Sequence, residues 1–393
     1  MTPAARVQAA IELLDQVIEA AKREGAPADR LISAYFRERR YAGSKDRRAV
    51  RELVYRAIRH CGEVPRTGRA AMLALAQDDD TLVPLFDGST HGPPAIGKKE
   101  VAAQAGVAPD WLMEALAASG VEGEAAAAML GRAPLDIRVN SLKADRDGLE
   151  LPEPGEPLAA PQALRLPAGT QVEQWDAYRD GMIEVQDHGS QLACLAATAQ
   201  PGETVIDLCA GAGGKTLSLA AAMQNSGVLL ACDTDRGRLS KLEPRAARAG
   251  AGMIATQLLN PNAELDMLAE HMASADMVLV DAPCSGTGTL RRKPEVKWRL
   301  TQQRLDRYAE LQDRLLDIAA ELVRAGGRIA FVTCSMLDAE GNDRIAAFLA
   351  RHEGWQSERA ELPLGRPRGE GTRLEPFHDG TDGFFIAILR SSC

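Results

Sequence analysis

The chain has 393 residues, of which 45% are hydrophobic and 26% charged, a composition typical of soluble globular proteins with two or three domains. No apolar run of about 18 residues predicts a membrane span, and the amphipathic start lacks the apolar core of a secretion signal. Seven widely spaced cysteines do not suggest a disulfide framework, and the net charge of -9 argues against a protein coated in nucleic acid.

Helical periodicity dominates the first part of the chain. Thr2 and Pro3 are typical of a helix N-cap and first helical position. Apolar residues then recur at helical spacing, at Val7, Ile11, Leu14, Ile18, Leu31, Tyr35, Phe36, Val50, Leu53, Val54 and Ile58. This pattern predicts a small helical bundle. A loop is expected over residues 87–94, and Pro109 with Asp110 opens another helix.

The composition changes in the middle of the chain. Residues 136–140 are β-prone, and a proline-rich connection follows, with Pro152, Pro154, Pro157 and Pro161. A domain boundary is therefore expected between about residues 125 and 180. We expect a helical domain over 1–125, a small α+β subdomain and linker over 126–180, and an α/β domain over 181–393.

From Gly181 onward, short apolar strands alternate with helices. A helix over Gln303–Arg324 carries apolar residues along one face and is expected to stop at Gly326 and Gly327. Strands are expected at Thr204–Leu208, Val228–Cys232, Met277–Asp281 and Arg328–Cys334. Alternating βα units predict an α/β fold with a doubly wound parallel sheet, whose ligands bind outside the carboxyl ends of the strands.

A glycine-rich turn follows the first of these strands and comprises Cys209, Ala210, Gly211, Ala212, Gly213, Gly214 and Lys215. A Walker phosphate loop would require glycine at position 209, and the dinucleotide fingerprint would require it at position 216. What remains is a tight turn with Asp233 at the end of the next strand, where a carboxylate can bind both ribose hydroxyls. S-adenosylmethionine, which has a ribose diol and no polyphosphate, fits this arrangement. The alternative is a turn needed only for chain reversal.

Two cysteines lie in matched positions after the last two strands. Cys284 follows Asp281 in a Pro-Cys motif, and Cys334 stands in a Thr-Cys motif. Carbon 5 of cytosine is a poor nucleophile, but a thiolate that adds to carbon 6 creates an enamine that can attack a sulfonium methyl group. Asp281 and the second thiol could supply the remaining acid and base. The alternative is that these cysteines only pack in the interior.

A metal site is not expected, because the cysteines and the six scattered histidines lack the close spacing of zinc ligands. Two basic clusters could instead contact nucleic acid. The first comprises Arg37, Arg39, Arg40, Lys45, Arg47, Arg48 and Arg51. In the second, we expect Arg291, Arg292, Lys293 and Lys297 to contact RNA phosphates beside the target base. The alternative for each cluster is a solvated helix face.

These motifs together resemble the Sun/Nop family of RNA cytosine-5 methyltransferases, and most closely its bacterial ribosomal RNA enzymes with a NusB-like helical domain. Residues 44–48 with Tyr55 and Arg59 resemble the NusB-like part. The cofactor turn resembles the catalytic part of the family. So do residues 138–140, 186–187, 190–191, 281–286, 297–298, 333–335 and 382–385. The resemblance implies a Rossmann-like class I methyltransferase sheet behind an all-helical, RNA-binding NusB-like domain.

The resemblance also implies a role for each matching residue. Cys334 would be the nucleophile, and Cys284 would assist the breakdown of the covalent adduct. The turn from Cys209 to Lys215, with Asp233 and Asp281, would contact the cofactor. Where the family offers a carboxylate to the adenine amino group this chain has Asn260, which could accept the same hydrogen bond.

Two further departures lie in the family motifs. Ala212 replaces the proline of the usual Ala-Pro-Gly-Gly turn, and Gly341 interrupts the usual Glu-Asn pair between Glu340 and Asn342. The first change removes a stiff residue from the cofactor turn. We expect catalysis to tolerate the second.

We therefore expect an S-adenosylmethionine-dependent enzyme that forms 5-methylcytosine in RNA, with ribosomal RNA as the favoured substrate. The alternatives are a transfer RNA enzyme of similar chemistry and an RNA-binding ribosome assembly factor without turnover. The expected partner is RNA, with no membrane and no metal. Cysteine usage favours the reducing cytoplasm. The sequence leaves open which cytosine is modified and the oligomeric state.

Overall fold

The computed structural model describes residues 1–23 and 25–392. They form two compact units, of which the first comprises Met1–Gly131 together with Thr289–Thr301 and the second comprises Arg132–Gly288 together with Gln302–Cys393. A short segment that follows the Cys284 loop in sequence therefore belongs to the first unit. The three-part division at residues 125 and 180 stays a prediction.

The first unit is helical, as predicted for the start of the chain. Thr2 caps the first helix, where its hydroxyl accepts a hydrogen bond from the Ala5 N–H at 3.1 Å. Apolar side chains of the first four helices form one core, which also includes Trp298. The helices are α1 (Pro3–Lys22), α2 (Ala28–Glu38), α3 (Ser44–His60), α4 (Gly68–Asp78), α5 (Asp110–Ala118) and α6 (Gly123–Ala128).

The second unit begins with a small antiparallel sheet in the order β2-β3-β1-β4. Its strands are β1 (Leu135–Val139), β2 (Glu156–Pro157), β3 (Ala163–Leu166) and β4 (Ile183–Val185), and α7 (Asp176–Arg179) precedes β4. The proline-rich stretch, expected to be only a connection, thus supplies a strand. Pro157 is tolerated there because β2 lies at the sheet edge, where a missing N–H breaks no ladder.

A nine-stranded sheet forms the centre of the second unit, with the order β11-β12-β13-β9-β8-β5-β6-β7 and with β10 paired to β13. Its strands are β5 (Thr204–Asp207), β6 (Val228–Asp233), β7 (Ile254–Leu258), β8 (Ala275–Asp281), β9 (Val323–Thr333), β10 (Trp355–Glu358), β11 (Arg366–Arg368), β12 (Gly371–Leu374) and β13 (Phe384–Ser391). Strands β5 to β9 pair in parallel, and β13 is antiparallel to β9. The predicted Rossmann-like sheet is confirmed, whereas the antiparallel strands β10 to β13 were not predicted.

Helices connect these strands, and apolar clusters pack on the large sheet. The helices are α8 (His188–Ala196), α9 (Gly214–Ala222), α10 (Arg236–Leu239), α11 (Leu242–Ala249), α12 (Glu264–Met267), α13 (Gln302–Leu322), α14 (Asn342–Arg351) and α15 (Pro376–Asp379). The expected end of the long helix at Gly326 was wrong: α13 ends at Leu322, because Val323 already pairs with Ala275 as part of β9. Within the described residues, no helix has the length and apolar character needed to cross a membrane.

Gly213 offers a test of the turn that precedes α9. Its φ is +86°, and a Cβ there would lie 2.0 Å from Leu242 Cδ1, whereas a Cβ on Gly214 would meet no atom within 4 Å. We expect Gly213→Ala to destabilise the second unit by about 1–3 kcal/mol, and Gly214→Ala to leave its stability unchanged or slightly higher. Urea unfolding of the two variants measures the difference. Equal midpoints would contradict this account of the turn.

Candidate active site

Acidic and thiol side chains gather at one edge of the large sheet. Asp233 ends β6, Asp281 ends β8, and Cys334 directly follows β9, while Cys284 lies in the loop after β8. Because these strands run in parallel, their carboxyl ends lie at the same edge of the sheet. The predicted meeting of a cofactor turn and two thiols is therefore what the topology produces.

The two cysteine side chains touch. The Sγ atoms of Cys284 and Cys334 lie 3.3 Å apart, within hydrogen-bond distance and well beyond a disulfide bond. Backbone hydrogen bonds tie their loops together: Gly288 N donates to Cys334 O at 2.9 Å, and Ala282 N donates to Val332 O at 2.9 Å. Both thiols are half-buried and line a cavity.

The surroundings of the two thiols shift their pKa values in opposite directions. The hydrogen bond to Cys334, together with burial, raises the pKa of Cys284 well above the ordinary value of a thiol. The same hydrogen bond lowers the pKa of Cys334, although burial and the nearby Asp281 oppose this shift. Cys334 is therefore the thiol that ionises first, and Cys284 is the donor in the pair.

Lys215, at the end of the glycine turn, forms an ion pair with Asp281. Its Nζ lies 2.7 Å from Asp281 Oδ2 and 5.5 Å from the centre of the Phe384 ring. Burial alone would lower the pKa of Lys215, but Asp281 and Cys194 more than offset that effect, so the pKa stands above its ordinary value. The ammonium group therefore stays charged and holds the Asp281 carboxylate in place.

The glycine turn is fastened to the end of β6. Asp233 is buried, and its carboxylate accepts hydrogen bonds from Gly211 N and from Asp235 N, both at 2.7 Å. Gly211 has a φ of +56°, which favours glycine at this position. Arg245 donates to the carbonyl of Ala212 at 2.6 Å and so holds the turn where the family's proline is absent.

A cavity of about 390 Å³ lies beside these groups. Of the predicted cofactor residues, Cys209, Asp233 and Asp281 line it. Apolar walls come from Leu208, Leu259, Pro261, Leu311 and Leu315. A cavity with apolar walls and a carboxylate at the end of β6 fits the adenosyl group and ribose diol of S-adenosylmethionine.

Asn260, expected to contact adenine, is exposed, and its N–H faces Met267 Sδ at 3.1 Å. Its neighbours Leu259 and Pro261 line the cavity, together with Glu264, which sequence reasoning missed. Glu264 is buried and paired with Arg314 at 2.8 Å. No sequence signal marked Glu264, because a single glutamate on a four-residue helix resembles any solvated acidic side chain.

The second basic cluster belongs to the first unit, and its side chains differ in exposure. Lys297 is fully buried and donates to Val107 O at 2.8 Å, and burial lowers its pKa to about 7. The expectation that Lys297 contacts a phosphate is therefore wrong. Arg291 is also buried and Arg292 is half-buried, whereas Lys293 is exposed.

The first basic cluster is much more open. Its exposed members are Arg37, Arg40, Lys45, Arg47, Arg48 and Arg51. Of the two acidic residues within it, Glu38 is exposed and lies 3.8 Å from Arg39, whereas Asp46 is turned inward, where it pairs with Arg6 at 2.9 Å and with the amino group of Met1 at 3.1 Å. Exposed positive charge is thus concentrated around the start of α3.

Comparisons with known proteins identify the family. The profile described as "16S rRNA methyltransferase RsmB/F" matches residues 194–390. A curated relative from Synechocystis, called a probable ribosomal RNA small subunit methyltransferase B, is 34% identical over 308 residues, covering 72% of this chain and 67% of its own length. The chain belongs to this family. The predicted membership is confirmed, and with it a methyltransferase fold whose cofactor is S-adenosylmethionine.

Two further proteins show how far the likeness extends. A Bacillus subtilis relative with the same description is 32% identical, covering 72% of this chain and 66% of its own length. The chain thus spans about two thirds of these curated relatives. A crystal structure of a methyltransferase homologue from Pyrococcus horikoshii superposes with a TM-score of 0.60 and 26% identity, covering 72% of this chain and 99% of that protein.

The thiol pair predicts an ordered reaction with an alkylating reagent. Only thiolates react readily, so iodoacetamide should modify Cys334 below the ordinary thiol pKa of about 8.5 and Cys284 only well above it. Peptide mass spectrometry across a pH series measures both profiles. In Cys334→Ser, the profile of Cys284 should move to lower pH, because its strongest perturbing partner is gone. Identical profiles for the two cysteines would contradict this assignment.

Proposed function

We propose that the chain transfers a methyl group from S-adenosylmethionine to carbon 5 of a cytosine in ribosomal RNA, through a covalent adduct on Cys334. The observation that carries this proposal is the contact between Cys334 and Cys284, 3.3 Å apart, beside the cavity that Asp233 and Asp281 line. Family membership supports the reaction class, and the descriptions of the relatives support ribosomal RNA as the substrate.

In the proposed first step, the Cys334 thiolate forms a bond to carbon 6 of the cytosine. The electrons of the C5–C6 double bond move toward N3, which takes a proton from an acid. Asp281 is the proposed acid: in its protonated form it gives this proton to N3, Lys215 stabilises the carboxylate that remains, and the proton returns to Asp281 when the adduct breaks down. S-adenosylmethionine would supply an electrophilic methyl group: as carbon 5 forms the new C–C bond, the methyl–sulfonium bond would break and leave the sulfur as a neutral thioether. Carbon 5 must next lose its proton before the base can leave the enzyme.

We propose that Cys284 accepts the proton from carbon 5. While Cys334 is ionised, its hydrogen bond and its charge hold the pKa of Cys284 high. Once Cys334 is bonded to carbon 6 its negative charge is gone, so Cys284 ionises more easily and can accept the carbon 5 proton. The electrons of that C–H bond restore the C5–C6 double bond and expel the Cys334 thiolate. The target must lie outside a base-paired helix, or be flipped from it, for carbon 6 to be reached.

The exposed members of the first basic cluster are the proposed phosphate contacts of the first unit. Between residues 37 and 51, six exposed Lys and Arg side chains outnumber the exposed Glu38, while Asp46 is internally paired, so the local field is positive despite the net charge of -9. From the second cluster, we retain Lys293, which is exposed, and Arg292 as proposed contacts.

The two cysteines should fail in opposite ways when they are replaced. Cys334→Ala removes the attacking atom, so neither adduct nor product should form. Cys284→Ala should permit addition and methylation but slow release, and an enzyme–RNA species should survive denaturing electrophoresis. The assay is gel electrophoresis of each variant with unmethylated small-subunit RNA and S-adenosylmethionine. An adduct with Cys334→Ala and none with Cys284→Ala would reverse the assigned roles.

The identity of the substrate is tested in the same assay. Small-subunit ribosomal RNA and transfer RNA are supplied separately, and bisulfite sequencing maps any 5-methylcytosine. Product on ribosomal RNA supports the proposal, and product on transfer RNA alone would contradict it. If the protein binds S-adenosylmethionine and RNA but forms no 5-methylcytosine in either RNA, a non-catalytic role in ribosome assembly would be favoured.

The exposed side chains of the first basic cluster predict how RNA affinity should depend on salt concentration. The variant with Arg40→Gln, Arg48→Gln and Arg51→Gln should bind RNA more weakly, with a log–log salt slope flatter by about 0.7 for each lost single-strand contact. Lys297→Met is the control: it removes a buried amino group that donates to Val107 O, so it should lower stability and leave the slope unchanged. Fluorescence anisotropy across a salt series measures the slopes. An unchanged slope in the triple variant would identify these arginines as a solvated face.

A further inference from the structure

A buried carboxylate lies behind the two cysteines and has no part in the chemistry described above. Glu340 is fully buried in a 3-10 turn, Asp338–Glu340, that follows the Cys334 loop. In the sequence, Glu340 is the glutamate of the family's usual Glu-Asn pair, which Gly341 interrupts.

Each oxygen of Glu340 is occupied by donors from the residues that follow the cysteines. Oε1 accepts a hydrogen bond from the Ser285 N–H at 2.7 Å, and Oε2 accepts from the Ser335 hydroxyl at 2.6 Å and from the Ser285 hydroxyl. Ser285 directly follows Cys284, and Ser335 directly follows Cys334. One carboxylate therefore joins the backbones of both cysteine loops at the residues next to the thiols.

Surrounding polar groups complete this connection. Thr287 Oγ1 accepts from Met336 N at 2.9 Å and lies 3.1 Å from Ser335 Oγ, so a second hydroxyl bridges the two loops. Gln312 of α13 donates to Pro283 O at 2.9 Å and to Glu340 Oε1 at 3.3 Å. These donors to Glu340 are neutral hydroxyl, amide and backbone groups, which orient a carboxylate in the interior.

We propose that Glu340 is a positioning residue that locks the Cys284 and Cys334 loops together and so keeps the two thiols in hydrogen-bond contact. The inference rests on the proposed function in assigning a catalytic consequence to that contact. Glu340 touches neither substrate nor cofactor in this role. It acts through Ser285 and Ser335.

Two effects of Glu340 on Cys334 have opposite signs, which makes the proposal testable. The groups that act on Cys334 are Cys284, Asp281, Lys215 and Glu340 itself. Removing the negative charge of Glu340 alone would lower the pKa of Cys334. Loosening the contact with Cys284, the strongest of these influences, would raise it. The direction of the change therefore separates positioning from a simple charge effect.

The experiment is the pH profile of iodoacetamide alkylation at Cys334 in Glu340→Gln, in the full-length protein. An amide nitrogen cannot accept the hydroxyl hydrogen bonds, so we expect the profile to move to higher pH. We also expect kcat to fall by roughly tenfold to a hundredfold, with little change in KM for either substrate. Asp338→Asn is the matched control, because Asp338 lies on the same turn but pairs with Arg368 and Arg373.

Ser335→Ala provides a second variant if Glu340→Gln does not fold. It keeps the carboxylate charge and removes one of the donors, so it should shift the Cys334 profile in the same direction by a smaller amount. A profile that stays in place or moves to lower pH in the folded variant would overturn the proposal, as would an unchanged kcat. The alkylation assay needs no RNA, so failure of the wild-type protein to methylate RNA would count against the proposed function alone.

Discussion

The contact between the Cys284 and Cys334 thiols is the interaction on which the catalytic unit depends. The two half-buried thiols lie 3.3 Å apart, and the hydrogen bond between them lowers the pKa of Cys334 and raises the pKa of Cys284. The contact exists because β8 and β9 are parallel neighbours, with Asp281 opposite Val332, so the loops that follow them leave the sheet side by side. The sheet topology brings the two thiols close together, and the buried polar groups around Glu340 set the distance between their sulfur atoms.

The charged groups beside the two thiols include an ion pair. Lys215, the last residue of the cofactor turn, forms an ion pair at 2.7 Å with Asp281, which lies three residues before Cys284. Only the Lys215 side chain of this pair is largely buried, whereas Asp281 is half-buried and faces the cavity. The same sheet edge therefore presents the Asp233 carboxylate on β6, for which we propose a role in ribose binding, the paired Asp281 carboxylate on β8 and the Cys334 thiol after β9.

Sequence alone predicted the parts of this site that short motifs and strand ends determine. Asp233, Asp281, Cys284 and Cys334 follow apolar strands, so their convergence follows from the rule for parallel sheets. Lys297 shows the limit: its neighbours are basic, yet it is buried, since long-range contacts with Val107 and the core around Trp298 decide its environment. Asn260 and Glu264 show a second limit of prediction from sequence. The exact course of the chain after β7 decides which of the two residues faces the cavity.

Identifying the methylated atom tests the central claim most directly. The protein would be incubated with unmethylated small-subunit ribosomal RNA and S-adenosylmethionine carrying a deuterated methyl group, and the RNA would be digested to nucleosides for mass spectrometry. The thiol-adduct chemistry predicts that the label appears on carbon 5 of cytidine and that Cys334→Ala abolishes it. Label on a nitrogen atom, on a ribose oxygen or on another base, or label that persists in Cys334→Ala, would contradict the account.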